Sequence, residues 1–158
     1  MKSEECMKYF IDSFKLRIPP SIKKTLETDE DIFRHFKENE DLYRHAYLPK
    51  KVFEYLNNNI PKGIDCSELC EEFLKIFDGE SELFLSKDYK KGKTFKITDK
   101  EGNIHDYTYH YAFLYKGVVY DILLNYNGVP YSTYIEMINI KGETERSITA
   151  DKQLKSYC

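Results

Sequence analysis

The chain has 158 residues, which suits one domain, and its 41% hydrophobic and 32% charged residues are typical of a globular protein. Its net charge of −3 excludes the basic surface of a general nucleic-acid binder. No run approaches the roughly 18 apolar residues of a membrane span. Glu4 and Glu5 interrupt the region where a secretion signal would need an apolar run. We therefore expect a cytoplasmic protein that binds neither nucleic acid nor membrane.

The cysteines indicate thiols and not a disulfide framework. They lie at positions 6, 66, 70 and 158, and no Cys-x-x-Cys pair is present. Cys66 and Cys70 are four residues apart, but no second ligand pair with zinc-site spacing accompanies them. We expect reduced thiols, no metal ion and no cofactor. A metal role for Cys66, Cys70 and His110 is the weaker alternative.

The first sixty residues predict helices. Apolar residues recur at helical spacing in four stripes: Cys6–Phe14, Ile32–Phe36, Leu42–Tyr47 and Val52–Leu56. We expect Pro49 to end the third of these helices, because proline cannot continue a helical hydrogen-bond pattern. A fifth helix is predicted to begin at Cys66 and to run to about Phe77.

The pattern changes to strands after this fifth helix. Four segments are rich in aromatic or β-branched residues and are separated by glycine-containing turns: 82–86, 93–99, 104–115 and 118–124. YNGVP is interpreted as a further turn, and YSTYIEMI is ambiguous, with a short helix as one interpretation. Helices followed by an antiparallel meander predict the α+β class.

We predict one domain over residues 1–158. It would comprise a helical part at 1–60, a core at 61–140 and a polar tail at 141–158. The apolar stripes of the N-terminal helices need a partner surface, and residues beyond 60 alone would offer a small core. These helices are therefore expected to pack on the rest of the chain.

Cys66 lies where a helix should start. Asp65 and Glu68 have the spacing of a capping box, which makes Cys66 the first helical residue. The unpaired N–H groups and the positive end of the helix dipole favour a thiolate there. The same position begins the apolar face of the helix, so a space-filling role in the core is the alternative. Cys70 lies one turn deeper and fits that second role.

His110 is the histidine that lies in a predicted strand with apolar neighbours. A two-residue hairpin loop at Lys116 and Gly117 would place His110 and Asp121 on one face as diagonal neighbours, about 7 Å apart. A carboxylate on an apolar face is costly unless it is paired, and His110 is the obvious partner. A three-residue loop would instead turn Asp121 to the other face, towards solvent, and leave His110 in the core.

The order Cys66, His110, Asp121 is that of the papain-like superfamily, in which the helix of the nucleophile packs on an antiparallel sheet. GIDCSELCEEFLKIF and YHYAFLYKGVVYDILLNYNGVPYSTYIEMI resemble the papain-fold toxin domains of bacterial polymorphic toxins. The matching positions are Cys66, His110 and Asp121, followed by Gly128 and Tyr134. The resemblance covers roughly residues 60–140 and implies a papain-like fold.

The resemblance implies thiol chemistry on an amide. Cys66 would attack the carbonyl carbon, His110 would take the thiol proton, and Asp121 would hold the imidazole tautomer. The activity would be that of a protease or a protein-glutamine deamidase, as a toxin or effector acting on a protein or peptide. A cognate inhibitor or immunity protein, and delivery into another cell, would fit such a role. The Cys66 N–H would be one oxyanion donor, and residues 57–59, all asparagine, either supply a second donor or simply end a helix.

Two other functions stay open. DCSELCEEF is similar to the start of the NlpC-type cell-wall peptidases, although Glu68 stands where those enzymes usually have glycine. Such a peptidase would need export. A non-catalytic protein-binding module is the other alternative, because the 14 tyrosines would suit a protein interface.

Overall fold

The computed structural model describes residues 3–43, 47–59, 63–138 and 144–149, with the backbone alone for 3 and 144–149. Two compact units are present, residues 1–60 and 61–158. Helices and antiparallel sheets both occur, so the α+β class predicted from the sequence is confirmed. The grouping of the whole chain into one domain stays a prediction. In the described part of the chain, no helix combines the length and apolar character needed to cross a membrane.

The first unit is helical. Its helices are α1 (Ser3–Lys15), α2 (Pro20–Lys23), α3 (Asp29–Glu38) and α4 (Tyr47–Asn58). Thr28 caps α3, because its side chain accepts from the Asp31 N–H while the Asp31 side chain accepts from the Thr28 N–H. The predicted stripes contact one another inside the unit: the ring centroid of Phe36 lies 4.8 Å from that of Phe10 and 5.1 Å from that of Phe14.

The third predicted helix differs from the structure. Residues Glu40–Tyr43 form a short 3-10 turn, and residues 44–46 lie outside the described residues. Pro49 does not end a helix, because it lies in the first turn of α4. The N–H groups of a first helical turn have no partner inside the helix, so a proline there removes no hydrogen bond.

The second unit contains a sheet with a helix on each side. Its elements are α5 (Cys66–Ile76), β1 (Glu80–Ser86), β2 (Phe95–Thr98), β3 (Ile104–Tyr107), β4 (Tyr109–Tyr115), β5 (Val118–Asp121), β6 (Tyr126–Pro130), α6 (Tyr131–Ile138) and β7 (Thr144–Thr149). The five-stranded antiparallel sheet has the order β6-β5-β4-β1-β7, and β2 and β3 form a separate hairpin.

The β4–β5 hairpin has the predicted two-residue loop. Tyr115 pairs with Val118, and Phe113 pairs with Tyr120. Lys116 and Gly117 both have positive φ angles, 52° and 81°, as a type I′ turn requires. This register is the one that places His110 and Asp121 on one face. Strand β5 lies between β4 and β6, so it is an interior strand of the sheet.

The interpretation of YNGVP as a turn is wrong, because these residues form strand β6. The chain reverses just before them, at Asn125, whose φ is 58°. Gly128, with a φ of 80°, lies at an irregularity in the pairing with β5: Val119 pairs with Val129, whereas Tyr120 pairs with Asn127. Gly128 is therefore the extra residue of a β-bulge, a position that often carries a glycine with positive φ.

The sequence pattern does not decide the secondary structure of the residues after β6, which the structure shows. YSTYIEMI forms helix α6. Within the segment described as a polar tail, Thr144–Thr149 forms β7 along the free side of β1. Its pairing uses backbone groups, which a polar sequence supplies as well as an apolar one. Residues 141–143 and 150–158 lie outside the described residues.

The two faces of the sheet bury different elements. Helix α5 packs on one face, where Phe73 stacks on Phe113 with ring centroids 4.8 Å apart. Side chains alternate along a strand, so Ala112 points to the other face. There it joins the buried cluster Phe84, Phe95, Ile97, Ala112, Val119, Leu124, Tyr134 and Ile138. The cluster brings α6 and the β2–β3 hairpin onto the face that carries His110 and Asp121.

Replacing Gly79 with alanine is expected to destabilise the second unit by about 1–3 kcal/mol. A Cβ at Gly79 would lie 2.5 Å from Cζ of Phe113 and 2.7 Å from the carbonyl oxygen of Leu114. Neither atom can retreat without disturbing the contact between α5 and the sheet. Urea unfolding measures the change. Glu80→Ala, at the exposed next position, is the control and should change the free energy of unfolding by less than about 0.5 kcal/mol.

Candidate active site

The N-terminus of α5 is held by Asp65. Helix α5 begins at Cys66, as predicted, and Oδ1 of Asp65 accepts hydrogen bonds from the Glu68 N–H at 3.0 Å and the Ser67 hydroxyl at 2.6 Å. The hydroxyl of Tyr109, on β4, donates to Oδ2 at 3.3 Å. Burial alone would raise the pKa of Asp65, but these hydrogen bonds outweigh it and lower the pKa. The cap thus joins the start of α5 to the start of β4.

The sulfur of Cys66 lies against the backbone of β4. The Tyr111 N–H donates to Sγ at a distance of 3.2 Å, and only 5% of Cys66 is exposed. A donated N–H and the positive end of a helix dipole both favour a negative charge on sulfur. The helix start and the strand together hold Sγ of Cys66 against the Tyr111 N–H.

His110 and Asp121 form the pair that the hairpin register predicts. Nε2 of His110 lies 2.6 Å from Oδ2 of Asp121, and both side chains are buried. The alternative with a solvent-exposed Asp121 on an edge strand is wrong, because Asp121 is only 2% exposed and β5 is an interior strand. The structure therefore brings all three predicted site residues, Cys66, His110 and Asp121, to one end of β4 and β5.

Among the described residues, three donors form hydrogen bonds to Asp121. Besides His110, the Leu124 N–H donates to Oδ1 at 3.2 Å and the Tyr134 hydroxyl donates to Oδ2 at 2.6 Å. A buried carboxylate is expensive unless its oxygens accept such bonds. In the sequence, Tyr134 is marked only as a position of the family resemblance. Its bond to Asp121 depends on where α6 packs, which no local pattern indicates.

The second ring nitrogen of His110 is available to Cys66. Nε2 is bound by Asp121, whereas Nδ1 is buried and, among the described residues, has no hydrogen-bond partner. The sulfur lies near enough for its charge to act on the ring, although it falls outside hydrogen-bond geometry to Nδ1. Catalytic hydrogen bonds are often long before substrate binds.

The charge state of His110 follows from its neighbours. Burial by itself would lower its pKa, but the negative charges of Asp121 and Cys66 outweigh burial and raise the pKa to about 10. The imidazole therefore holds a proton near neutral pH, next to the sulfur. An imidazolium beside a thiolate is the ion pair that a cysteine nucleophile needs.

This raised pKa predicts how stability depends on pH. The folded protein holds the His110 proton more tightly than an unfolded chain does, whose histidine pKa is about 6.5. The resulting stabilisation is complete below that value and is lost as the pH rises towards about 10. We expect the free energy of unfolding, measured in urea, to fall across this range. The fall should be smaller in His110→Gln, and an equal fall in both proteins would contradict the assignment.

Cys70 lies one turn further along α5 and differs from Cys66. Burial, together with the nearby charge of Cys66, raises its pKa well above the usual value. A thiol with a raised pKa is unreactive near neutral pH.

Within the described part of the chain, no group of three or more His, Cys, Asp and Glu side chains is arranged to hold a metal ion.

In the described conformation, there is little space beside the sulfur of Cys66. Cys66, Cys70, Tyr120 and Asp121 contribute to the wall of a cavity of about 10 Å³, which holds about one water molecule. The ring of Tyr107, on β3, lies 4.8 Å from the ring of His110. A substrate amide is larger than this space. It can reach Sγ only after side chains that line this space move.

The remaining candidate residues have other partners. Nε2 of His105 lies 2.7 Å from Oδ2 of Asp99, a pairing that sequence reasoning missed. His35 is half-buried, and its Nε2 lies 2.8 Å from the Tyr43 hydroxyl. Among residues 57–59, Asn59 donates to the Tyr55 carbonyl at 2.8 Å, as a helix-ending residue does. A second oxyanion donor from this group stays a prediction.

Comparisons with known proteins give no relative from which a function could be transferred. No protein-family model matches the chain, and neither the curated proteins nor the solved structures contain a significant match.

Proposed function

We propose that this chain is a papain-like cysteine hydrolase that acts on amide bonds through Cys66, His110 and Asp121. One observation carries the proposal: Asp121 binds Nε2 of His110, while Nδ1 is buried and has no hydrogen-bond partner among the described residues. A histidine that only filled the core would be expected to satisfy both nitrogens. A histidine that takes a proton from a thiol needs one nitrogen free.

The proposed reaction has two steps. His110 takes the thiol proton, and the sulfur of Cys66 attacks the carbonyl carbon of the amide. The C–N bond breaks, the leaving nitrogen takes the proton from His110, and a thioester remains on Cys66. Water then attacks the thioester with His110 as the base, which releases an acid and restores the thiol. The Cys66 N–H, at the helix start, would donate to the oxyanion in both steps.

The substrate would be a protein or a peptide. A protease and a protein-glutamine deamidase use the same three groups and differ in whether an amine or ammonia leaves. The resemblance to polymorphic-toxin domains favours a toxin or effector, with a cognate inhibitor or immunity protein as a partner. An NlpC-type cell-wall peptidase is a further form of the same chemistry.

A non-catalytic binding module is the second candidate, and the burial of the site favours it. His110 is fully buried, and the cavity beside Cys66 is smaller than a substrate amide. In such a protein the His110–Asp121 pair would be a structural feature of the core. The two candidates differ in whether Cys66 is chemically reactive.

Competitive labelling with iodoacetamide, followed by peptide mapping, tests the proposal. Cys66 should react faster than Cys70 near neutral pH, because only Cys66 has an imidazolium beside it. Cys66→Ser, with Cys70→Ser as the matched control, is then incubated with casein. Peptide release measures protease activity, and ammonia release measures deamidation. Equal or faster labelling of Cys70 in the native protein would contradict a catalytic Cys66 and support the binding module.

A further inference from the structure

The side chain of Tyr134 is held rigidly beside the site. It lies on α6 and is fully buried, and its ring centroid lies 5.7 Å from that of Phe84 and 6.2 Å from that of Tyr126. Its hydroxyl is 2.6 Å from Oδ2 of Asp121, the same oxygen that binds Nε2 of His110. Two donors from different elements therefore meet on one carboxylate oxygen.

The hydroxyl of Tyr134 can act only as a donor to this oxygen. Burial, and then the charge of Asp121, raise the pKa of Tyr134 well above its usual value, so the phenol keeps its proton. Oδ1 of Asp121 is bound by the Leu124 N–H. With both oxygens occupied, the carboxylate plane cannot rotate without breaking a hydrogen bond. Without the Tyr134 hydroxyl, Oδ2 would keep His110 as its one side-chain partner in the described part of the chain.

We propose that Tyr134 is a positioning residue of this site, whose hydroxyl orients the Asp121 carboxylate and thereby keeps the imidazole proton of His110 on Nε2. The inference rests on the proposed function in one respect, because it takes Nδ1 of His110 to be the atom that accepts the proton of the Cys66 thiol. A neutral imidazole carries one N–H and one acceptor nitrogen, and the hydrogen bond at one nitrogen decides the state of the other. Tyr134 therefore decides, through Asp121, whether Nδ1 can accept the thiol proton.

The same helix offers a matched control. Tyr131, also on α6, donates its hydroxyl to Oε1 of Glu82 at 2.8 Å. Tyr131→Phe removes a tyrosine–carboxylate hydrogen bond from the same helix without touching Asp121 or His110. Tyr134→Phe removes the corresponding bond at the site and keeps the buried ring. Melting curves of both variants show whether either change acts only through stability.

Two measurements on the full chain test the inference. The ¹⁵N shifts of the His110 ring, recorded above a pH of about 10 where the imidazole is neutral, report which nitrogen carries the proton. Labelling by iodoacetamide near neutral pH reports the reactivity of Cys66. In Tyr134→Phe we expect a population protonated on Nδ1 and labelling of Cys66 slowed about tenfold, the effect of losing a hydrogen bond to a charged group. Tyr131→Phe should leave both unchanged.

The outcomes separate this inference from the proposed function. If Cys66 is unreactive in the native protein but the His110 tautomer still changes in Tyr134→Phe, the hydrolase proposal fails and the positioning role holds. If the tautomer and the labelling rate are the same in Tyr134→Phe and in the native protein, the positioning role is overturned. A lower melting temperature with unchanged ring shifts would also overturn it, because it would show a purely structural hydroxyl.

Discussion

Replacing His110 with glutamine is expected to slow the alkylation of Cys66 about 30-fold near neutral pH, because an unassisted thiol is only a few per cent ionised there. Glutamine cannot take a proton from the thiol or offer a positive charge to the thiolate. The second-order rate constant with iodoacetamide, measured for Cys66 by peptide mapping, checks the prediction. Casein hydrolysis or deamidation, where either is detected, should fall at least as far.

His105→Gln is the matched control for this change. His105 also pairs with a carboxylate, that of Asp99, but on the β2–β3 hairpin. Its loss should leave the labelling rate of Cys66 within about twofold of the native value, since it is not part of the proposed proton transfer. Asp121→Asn should give a smaller loss than His110→Gln, because the amide still offers an oxygen to His110. A His110→Gln protein labelled at the native rate would remove His110 from the site.

Replacing Phe113 with alanine is expected to cost about 3–5 kcal/mol of the free energy of unfolding. Phe113 is fully buried in β4, and it stacks on Phe73 of α5 with an interplanar angle of 16°. Its ring also lies 6.4 Å from those of Phe77 and Tyr120. The mutation would leave a cavity bounded by rings from α5, from the residue that follows it and from β5, which cannot collapse without moving α5.

Urea unfolding followed by far-UV circular dichroism measures this loss, with separate fits for each transition if two are seen. Ile104→Ala, at a position that is 66% exposed, is the control and should change the value by less than about 0.5 kcal/mol. A loss below about 1 kcal/mol for Phe113→Ala would contradict the close packing of α5 on the sheet. Because the same contact holds the helix that carries Cys66, we also expect the variant to lose selective labelling of Cys66.

The parts of the site that the sequence predicts are those that depend on near neighbours. Asp65 and Glu68, three residues apart, define where α5 begins, and so they place Cys66 at its first turn. Lys116 and Gly117 both take the positive φ of a type I′ turn, which sets the register of β4 and β5. That register alone puts His110 and Asp121 on one face. Both signals are local hydrogen-bond or backbone preferences, which act whatever the rest of the chain does.

The tertiary structure decided what lies around these residues. YNGVP has the composition of a turn, yet it forms strand β6, because β5 offers backbone partners and Gly128 absorbs the extra residue as a bulge. Tyr134, a further donor to Asp121, lies on helix α6, which follows both strands in the chain and packs on the sheet. Tyr107 reaches His110 from a separate hairpin. Contacts between distant elements depend on packing and on the desolvation of buried charges, and neither has a signature a few residues long.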